Sequence, residues 1–403
     1  MAGLTAPPAT GGGLLVDATA LDSDHRTRGI GRYVRGLISG FEKLDDARPN
    51  YLRLGGPLQR LARRHRASEA IAGDDEGVDE GRTLRLNRPP GPHLTRWLLN
   101  EALLPGELSG SCELFHSTEP ASICAGPDFK SVVTVHDVIP LMFPDVYMQF
   151  PYLFWPLYYP RLERERRFER VDRVIAISRA TRRELRERLG VPPEKITVVH
   201  NGIDHEQFQP VDNPADVRGF EREMGLGGRF VLYLGGDDFR KNIDVLVRAL
   251  PYFPDDVELV LAGGMSSETK EKLGALAADL RVEHRLVFPG YIDDAHLDDL
   301  YASAEVFAYP SLAEGFGLQL LEAMAVGCPV AASDASSLSE VVGEAGLLFD
   351  PEDPEDVGKT LRRCLRDEQL QQELRAKGLE RAAEFSWKRC AQETLAVYED
   401  VLR

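Results

Sequence analysis

Short apolar runs alternate with stretches of helical period along nearly the whole chain, and this alternation predicts parallel α/β sheets. In the first half, residues 14–17, 114–116, 131–136, 174–178 and 196–200 read as strands, with helices at 31–42 and 179–189. In the second half the expected strands are 230–234, 258–262, 285–288, 306–309 and 329–332. Helices expected at 243–250, 268–278, 295–302 and 318–326 sit between them. Ser178 is placed to cap the helix at 179–189, and Gly327 to close the one at 318–326. A polar, Pro-containing stretch around 204–228 separates the two series, and residues 206–228 are read as a linker. Residues 68–91, rich in Asp, Gly and Arg, read as a surface excursion, and the chain ends in a helix with no strand after it.

Length agrees with a division in two, since 403 residues exceed what one hydrophobic core usually supports. A net charge of -17 argues against general nucleic-acid binding. The acidity is uneven: between Arg161 and Arg188 eleven Arg face six acidic residues. That segment suits either a solvated helix pair with alternating charge or an anionic membrane or phosphate-bearing partner. Beside it, residues 143–159 carry eight aromatics in seventeen residues, interrupted by three Pro. They suit either packing or an acceptor or membrane-interface surface. Five cysteines without a C-x-x-C pair point to a reducing compartment, with neither a disulfide framework nor a metal site. The N-terminus lacks the charged and apolar regions of a signal peptide, and no run approaches 18 apolar residues. A cytoplasmic location is the expectation.

The candidate chemistry lies at predicted strand ends. Glu314-Gly315-Phe316-Gly317-Leu318 forms a Gly-rich turn between a strand and a helix, and Glu322 lies about one turn into that helix. Backbone N–H groups at such a helix start can face an anion. Two carboxylates there can accept hydrogen bonds from sugar and ribose hydroxyls. Taken alone, the pair equally suits a solvent-facing Glu and a second Glu favoured by the helix dipole. After the strand at 230–234 comes Gly235-Gly236-Asp237-Asp238-Phe239-Arg240-Lys241. Adjacent cations at the carboxyl end of such a strand can hold a pyrophosphate, Arg as a fork and Lys as a point charge. Gly263-Gly264 and Gly290-Tyr291-Ile292 bring glycine to two more strand ends, where backbone can approach a ligand closely or simply turn.

The segment from Glu314 to Glu322 resembles the E-x7-E signature of retaining nucleotide-sugar glycosyltransferases with the GT-B fold. The Arg240-Lys241 pair resembles the Arg/Lys pair of the same enzymes. His136-Asp137-Val138-Ile139-Pro140-Leu141 and Gly29-Ile30-Gly31-Arg32-Tyr33 resemble stretches of bacterial α-mannosyltransferases, and His200-Asn201-Gly202-Ile203-Asp204 resembles their strand-end N-G-[IV]-D. These segments occur in family order across nearly the whole chain.

The resemblance implies two Rossmann-like domains facing an interdomain cleft: an acceptor-side domain at 1–205 completed by a returning helix at 386–403, and a donor domain at 229–385. It implies transfer of a sugar, best guess mannose from GDP-mannose, to a hydroxyl of a glycan or lipid-linked acceptor with retention. His136 would orient the sugar, Glu314 would bind its hydroxyls, and Glu322 would bind the ribose. Arg240 and Lys241 would stabilise the departing diphosphate. The nucleotide sugar would also meet Gly29, Gly31, Gly236, Gly263, Gly264, Ile292, Phe316, Gly317 and Leu318. No cofactor and no metal are implied, and the reading allows peripheral contact with the inner membrane face. The alternatives are a UDP-sugar enzyme acting on a small-molecule natural product, a GT-B epimerase, and, last, a non-catalytic partner subunit.

Overall fold

A computed structural model describes residues 13–22, 29–44, 49–55, 82–87, 103–148, 159, 167–211 and 214–403. The chain folds as two compact units, Met1–Gly202 with Trp387–Arg403, and Ile203–Ser386. Each is built on one wholly parallel sheet.

The first unit holds β1 (Leu14–Asp17), β2 (Asn50–Gly55), β3 (Thr83–Asn87), β4 (Leu114–Ser117), β5 (Lys130–Val135), β6 (Arg173–Ala176) and β7 (Ile196–Val198). Their order across the sheet is β3-β2-β1-β4-β5-β6-β7. The order reverses between β1 and β4, which pair in parallel with Leu15 opposite Phe115. Such a reversal opens a crevice at the carboxyl ends of the strands, where open α/β sheets bind ligands. The interior strands are buried along most of their length because helices cover both faces.

Helices α1 (Gly29–Glu42) and α2 (Arg179–Leu189) belong to this unit. The Ser178 hydroxyl caps α2 by accepting from the Thr181 N–H at 3.0 Å, and Gly190 ends the helix at φ 61°. Residues 83–87 of the expected surface excursion are instead strand β3, paired with β2 from Tyr51↔Thr83 to Gly55↔Asn87. Apart from Arg82, the rest of that excursion, most of the aromatic stretch (149–158) and residues 161–166 of the basic segment lie outside the described residues.

The second unit carries β8 (Arg229–Leu234), β9 (Val257–Ala262), β10 (Leu286–Gly290), β11 (Val306–Tyr309), β12 (Val330–Ser333) and β13 (Leu347–Phe349), ordered β10-β9-β8-β11-β12-β13. The reversal here falls between β8 and β11. The stretch expected to be a linker is part of this unit. Residues Pro214–Met224 form helix α3, which packs on the later helix at Leu297–Ser303, with Phe220 stacked on the His296 ring at 5.9 Å. Burial of Phe220 and Leu226 is what draws the segment onto the domain.

The remaining helices of this unit are α4 (Ile243–Ala249), α5 (Ser267–Asp279), α6 (Leu297–Ser303), α7 (Leu318–Val326), α8 (Leu338–Val342), α9 (Pro354–Arg366) and α10 (Glu368–Ala383). A core cluster including Val231, Leu246, Leu259, Val306 and Leu361 lies between sheet and helices.

The last helix, α11 (Trp387–Leu402), returns to the first unit and lies along α1. Gly36 and Gly40 on α1 make this approach feasible. A Cβ on Gly36 would sit 2.0 Å from the Trp387 ring, and one on Gly40 would sit 2.1 Å from the Trp387 carbonyl.

Candidate active site

In the second unit, β8 delivers the chain into the loop 235–238 and then the single 3-10 turn Phe239–Lys241. Two devices hold this turn. The Asp238 carboxylate accepts from the Arg240 N–H at 3.1 Å, and Asn242, at φ 53°, donates its side-chain amide to Pro310 O and Pro351 O. The neighbouring β11 leads into the turn containing Glu314, and the Leu312 N–H reaches back to Arg240 O at 2.8 Å. Adjacency of β8 and β11 at the sheet's reversal is therefore what brings residues 240–241 and 314 together.

Glu314 lies between the two cations. Arg240 Nη1 is 2.7 Å from one carboxylate oxygen and Lys241 Nζ is 2.7 Å from the other. Arg240 Nη1 also donates to Ala313 O at 3.1 Å. Burial opposes ionisation of Glu314, but Lys241 and Arg240 outweigh it and hold its carboxyl at about 2. Tyr309, at the end of β11, accepts from Lys241 Nζ at 2.9 Å. Its hydroxyl lies within bonding distance of both Glu314 Oε1 (3.2 Å) and Gln319 Oε1 (3.1 Å). One phenolic proton serves one of them at a time. Burial raises the Tyr309 hydroxyl well above its ordinary value, so it stays neutral.

Behind the turn, Ser336 and Ser337 donate to Glu314 O, and Ser337 also to Phe316 O. Gly317 enters α7 at φ 109°, a conformation that only glycine adopts without strain, and a Cβ there would lie 2.8 Å from Leu338. Phe316 packs edge-on against Phe385. Leu318 begins α7 directly after the Glu314-bearing turn. Glu322, in the second turn of α7, is buried and accepts from the Tyr301 hydroxyl at 3.0 Å.

The glycine loops lie at the same strand ends. Gly263 has a steric reason of its own: at φ 117° its Cβ would meet Gly235 O at 2.1 Å, and its N–H donates to Gly290 O. Gly236 O accepts from the Tyr233 hydroxyl at 2.7 Å, whereas a Cβ on Gly264 would meet open space. Ile292 is buried just beyond Gly290. Asp237 binds the N–H and hydroxyl of Ser266, and those bonds hold its carboxyl at about 2. The carboxylates of the Asp237-Asp238 pair are thus engaged in capping. Among the described residues no three His, Cys, Asp or Glu side chains converge to hold a metal.

In the first unit, His136 follows β5. Its Nε2 lies 2.8 Å from Thr118 O, so that nitrogen carries the proton and Nδ1 presents a lone pair. Burial pushes the imidazole below its ordinary value, which keeps it neutral. The Tyr33 ring meets it edge-on at 4.9 Å. Gly29 opens α1 with open space beside it, and Gly31 is buried in the first turn.

The structure thus gathers Arg240, Lys241, Glu314, Phe316, Gly317 and Leu318 around one strand-end turn, with Glu322 one turn further along α7. His136, Gly29 and Gly31 belong to the other unit. Sequence reasoning missed Tyr309, Gln319, Ser336 and Ser337. The available signal was a tyrosine ending an otherwise apolar strand directly before the Glu-bearing turn.

Comparison with known proteins agrees with this architecture. Residues 27–207 match the Glycosyltransferase Family 4 domain family, and residues 220–381 match Glycosyl transferases group 1. The chain has the GT-B fold, and each of its halves matches a glycosyltransferase domain family. It is 32% identical over 269 residues to the serotype-specific mannosyltransferase WbdA of Escherichia coli, a match covering 65% of this chain and 32% of that protein. The chain therefore spans about a third of the length of that relative.

Sucrose-phosphate synthase from Thermosynechococcus elongatus has the same fold, with a TM-score of 0.74 at 23% identity over 96% of this chain and 98% of that one. Anabaena HepE, solved with UDP and glucose, superposes with a TM-score of 0.69 at 19% identity over 96% and 99%. Among the described residues no helix is long and apolar enough to cross a membrane.

Proposed function

We propose that this chain transfers a sugar from a nucleoside diphosphate donor to a hydroxyl, with retention of the anomeric configuration. The observation that carries the reading is the partly buried Arg240–Glu314–Lys241 cluster at the sheet's reversal, in the turn that leads into α7. Both cations are held in place before any ligand arrives. Preorganised charge aimed at a leaving group is worth most in such a setting, because little reorganisation is needed as charge develops.

In the proposed step the bond from the anomeric carbon to the diphosphate oxygen breaks as a bond to the acceptor oxygen forms on the same face. The acceptor proton passes to the departing phosphate oxygen. Arg240 and Lys241 stabilise the diphosphate, Glu314 binds the sugar hydroxyls and holds both cations, and Glu322 binds the ribose. The N–H groups of Phe316, Gly317 and Leu318 line the phosphate pocket, with Gly236, Gly263, Gly264 and Ile292 completing the nucleotide site. His136, with a lone pair on Nδ1, orients the sugar, and Gly29 and Gly31 contact the donor. The chemistry runs without a metal or other cofactor.

The proposed donor is GDP-mannose, and the acceptor a glycan or lipid-linked glycan on the cytoplasmic side. Likeness to a mannosyltransferase supports the sugar. Isothermal titration with GDP and UDP side by side tests it: GDP should bind more tightly by about tenfold, roughly 1.4 kcal/mol. A tenfold preference for UDP ends the mannosyl reading and leaves the reaction class standing.

A further inference from the structure

Four buried polar side chains in the first unit form one hydrogen-bonded line that the proposed reaction does not use directly. Tyr33, His116, Thr134 and Tyr398 are each at most 1% exposed. Tyr398 Oη lies 2.5 Å from His116 Nδ1, His116 Nε2 lies 2.8 Å from Thr134 Oγ1, and Thr134 Oγ1 lies 3.0 Å from Tyr33 Oη. The line starts on α11, crosses β4 and β5, and ends on α1.

Burial drives the His116 imidazole down to about 3, with a lesser contribution from His136, so it is neutral near pH 7. A neutral imidazole has one N–H and one lone pair. The two hydroxyls flanking it must therefore be polarised in the same direction, so the bonds on its two nitrogens are set together.

The Tyr33 ring at the end of this line meets the His136 ring edge-on, with centroids 4.9 Å apart and planes at 79°. Its other neighbour is the Trp387 ring of α11 at 6.1 Å. His136 has its Thr118 bond on Nε2, and a single bond leaves a ring free to tilt about it. The Tyr33 edge removes that freedom. Tyr33 cannot swing away while its own hydroxyl is bonded to Thr134.

We propose that Tyr33 is a positioning residue for His136, and that the C-terminal helix α11 holds Tyr33 in place through Tyr398, His116 and Thr134. The proposal rests on the sugar-orienting role assigned to His136, and its effect is to aim Nδ1 in one direction. The last helix of the chain thereby becomes part of the apparatus that sets a residue at the carboxyl end of β5.

The test combines imidazole nitrogen NMR of the full-length protein with kinetics on the nucleoside diphosphate sugar chosen by titration. Wild-type His136 should give the well-separated nitrogen pair of a single tautomer protonated on Nε2. In Tyr33→Leu that pair should move toward the average of two tautomers, with kcat falling by about tenfold and donor KM changing less than about twofold, the pattern of a misaimed group. Tyr33→Phe, which keeps the ring edge, should recover most of the turnover. Tyr398→Phe and Thr134→Val, which keep packing volume, should shift the His136 signals in the same direction by less.

Unchanged His136 signals in Tyr33→Leu overturn the proposal. If that variant does not fold, unchanged signals in both Thr134→Val and Tyr398→Phe overturn it instead. Wild-type turnover in His136→Ala would remove the role assigned to His136, while the nitrogen signals would still report the coupling. The two failures are thus distinguishable.

Discussion

At the scale of single residues, Glu314 ties the two neighbouring cations together. A carboxylate with both oxygens on cations is also a clamp, so Arg240 and Lys241 are held rigidly before a ligand adds its own charge. Arg240→Ala and Lys241→Ala should each lower kcat by roughly 10²–10³, the scale for losing one charge-stabilising contact. Steady-state kinetics of the two variants checks this, and near-wild-type turnover in both would remove the assignment.

The same clamp has a pH signature. The Glu314 carboxyl is depressed from an ordinary 4.5 to about 2, so its contribution to stability is present above the ordinary value and is lost as pH falls toward 2. Thermal melts across that window should show wild type losing stability more steeply than Glu314→Gln, whose amide does not titrate. Parallel slopes would mean that the ion pairs contribute little. Much of this was legible beforehand, because Arg240-Lys241 and Glu314 stand at predicted strand ends. The direct pairing of Glu314 with both cations was not, since nothing in the sequence says that β8 and β11 are neighbours.

At the scale of elements, glycine positions separate what packing demands from what it tolerates. Gly36 and Gly40 form a small face on α1 where α11 rests, and a methyl group at Gly36 would overlap the Trp387 indole. Gly36→Ala should therefore destabilise the fold by roughly 1–3 kcal/mol, the usual cost of overpacking. Gly274→Ala on α5, where a Cβ meets open space, should be neutral or stabilising by roughly 0.4–1 kcal/mol. Chemical denaturation of the pair reads the contrast. A Gly36→Ala variant as stable as wild type would show that α11 docks loosely.

Elements also show where sequence patterns run short. Helices α2 and α7 have the expected bounds, with Ser178 capping the first and Gly327 closing the second as their residue types predict. Strands β2 and β3 escaped notice because an Arg interrupts the short apolar run in both NYLRLG and TLRLN, and Arg53 is buried with Asp22 paired to it. Helix α3 was mistaken for a linker because a sparse apolar pattern shows its worth only when α6 lies against it.

At the scale of the whole molecule, two parallel sheets each reverse strand order once, and the candidate groups follow strands at or beside those reversals. Arg240 and Glu314 follow the two strands that flank the reversal in the second sheet, while His136 follows β5, the neighbour of β4, in the first. The stereochemical outcome belongs to this scale. The product should carry the donor's anomeric configuration and should form undiminished in EDTA. Proton NMR of the product decides the first point and an assay with chelator the second. An inverted linkage, or loss of activity with EDTA, would place the chain in a different mechanistic class.

What the sequence determined by itself was local and periodic: alternation of apolar runs with helical stretches, glycine where φ must be positive, caps at helix ends, and charged residues at strand termini. These follow from backbone sterics and side-chain chemistry within a few residues, so they can be read without knowing the fold. Only the tertiary structure decided which termini meet. Strand order makes Glu314 the partner of Arg240 and Lys241, and the return of α11 sets Tyr398 on His116 and Trp387 against Gly36. Those contacts span tens to hundreds of residues, and burial of whole elements selects them rather than any preference written in neighbouring positions.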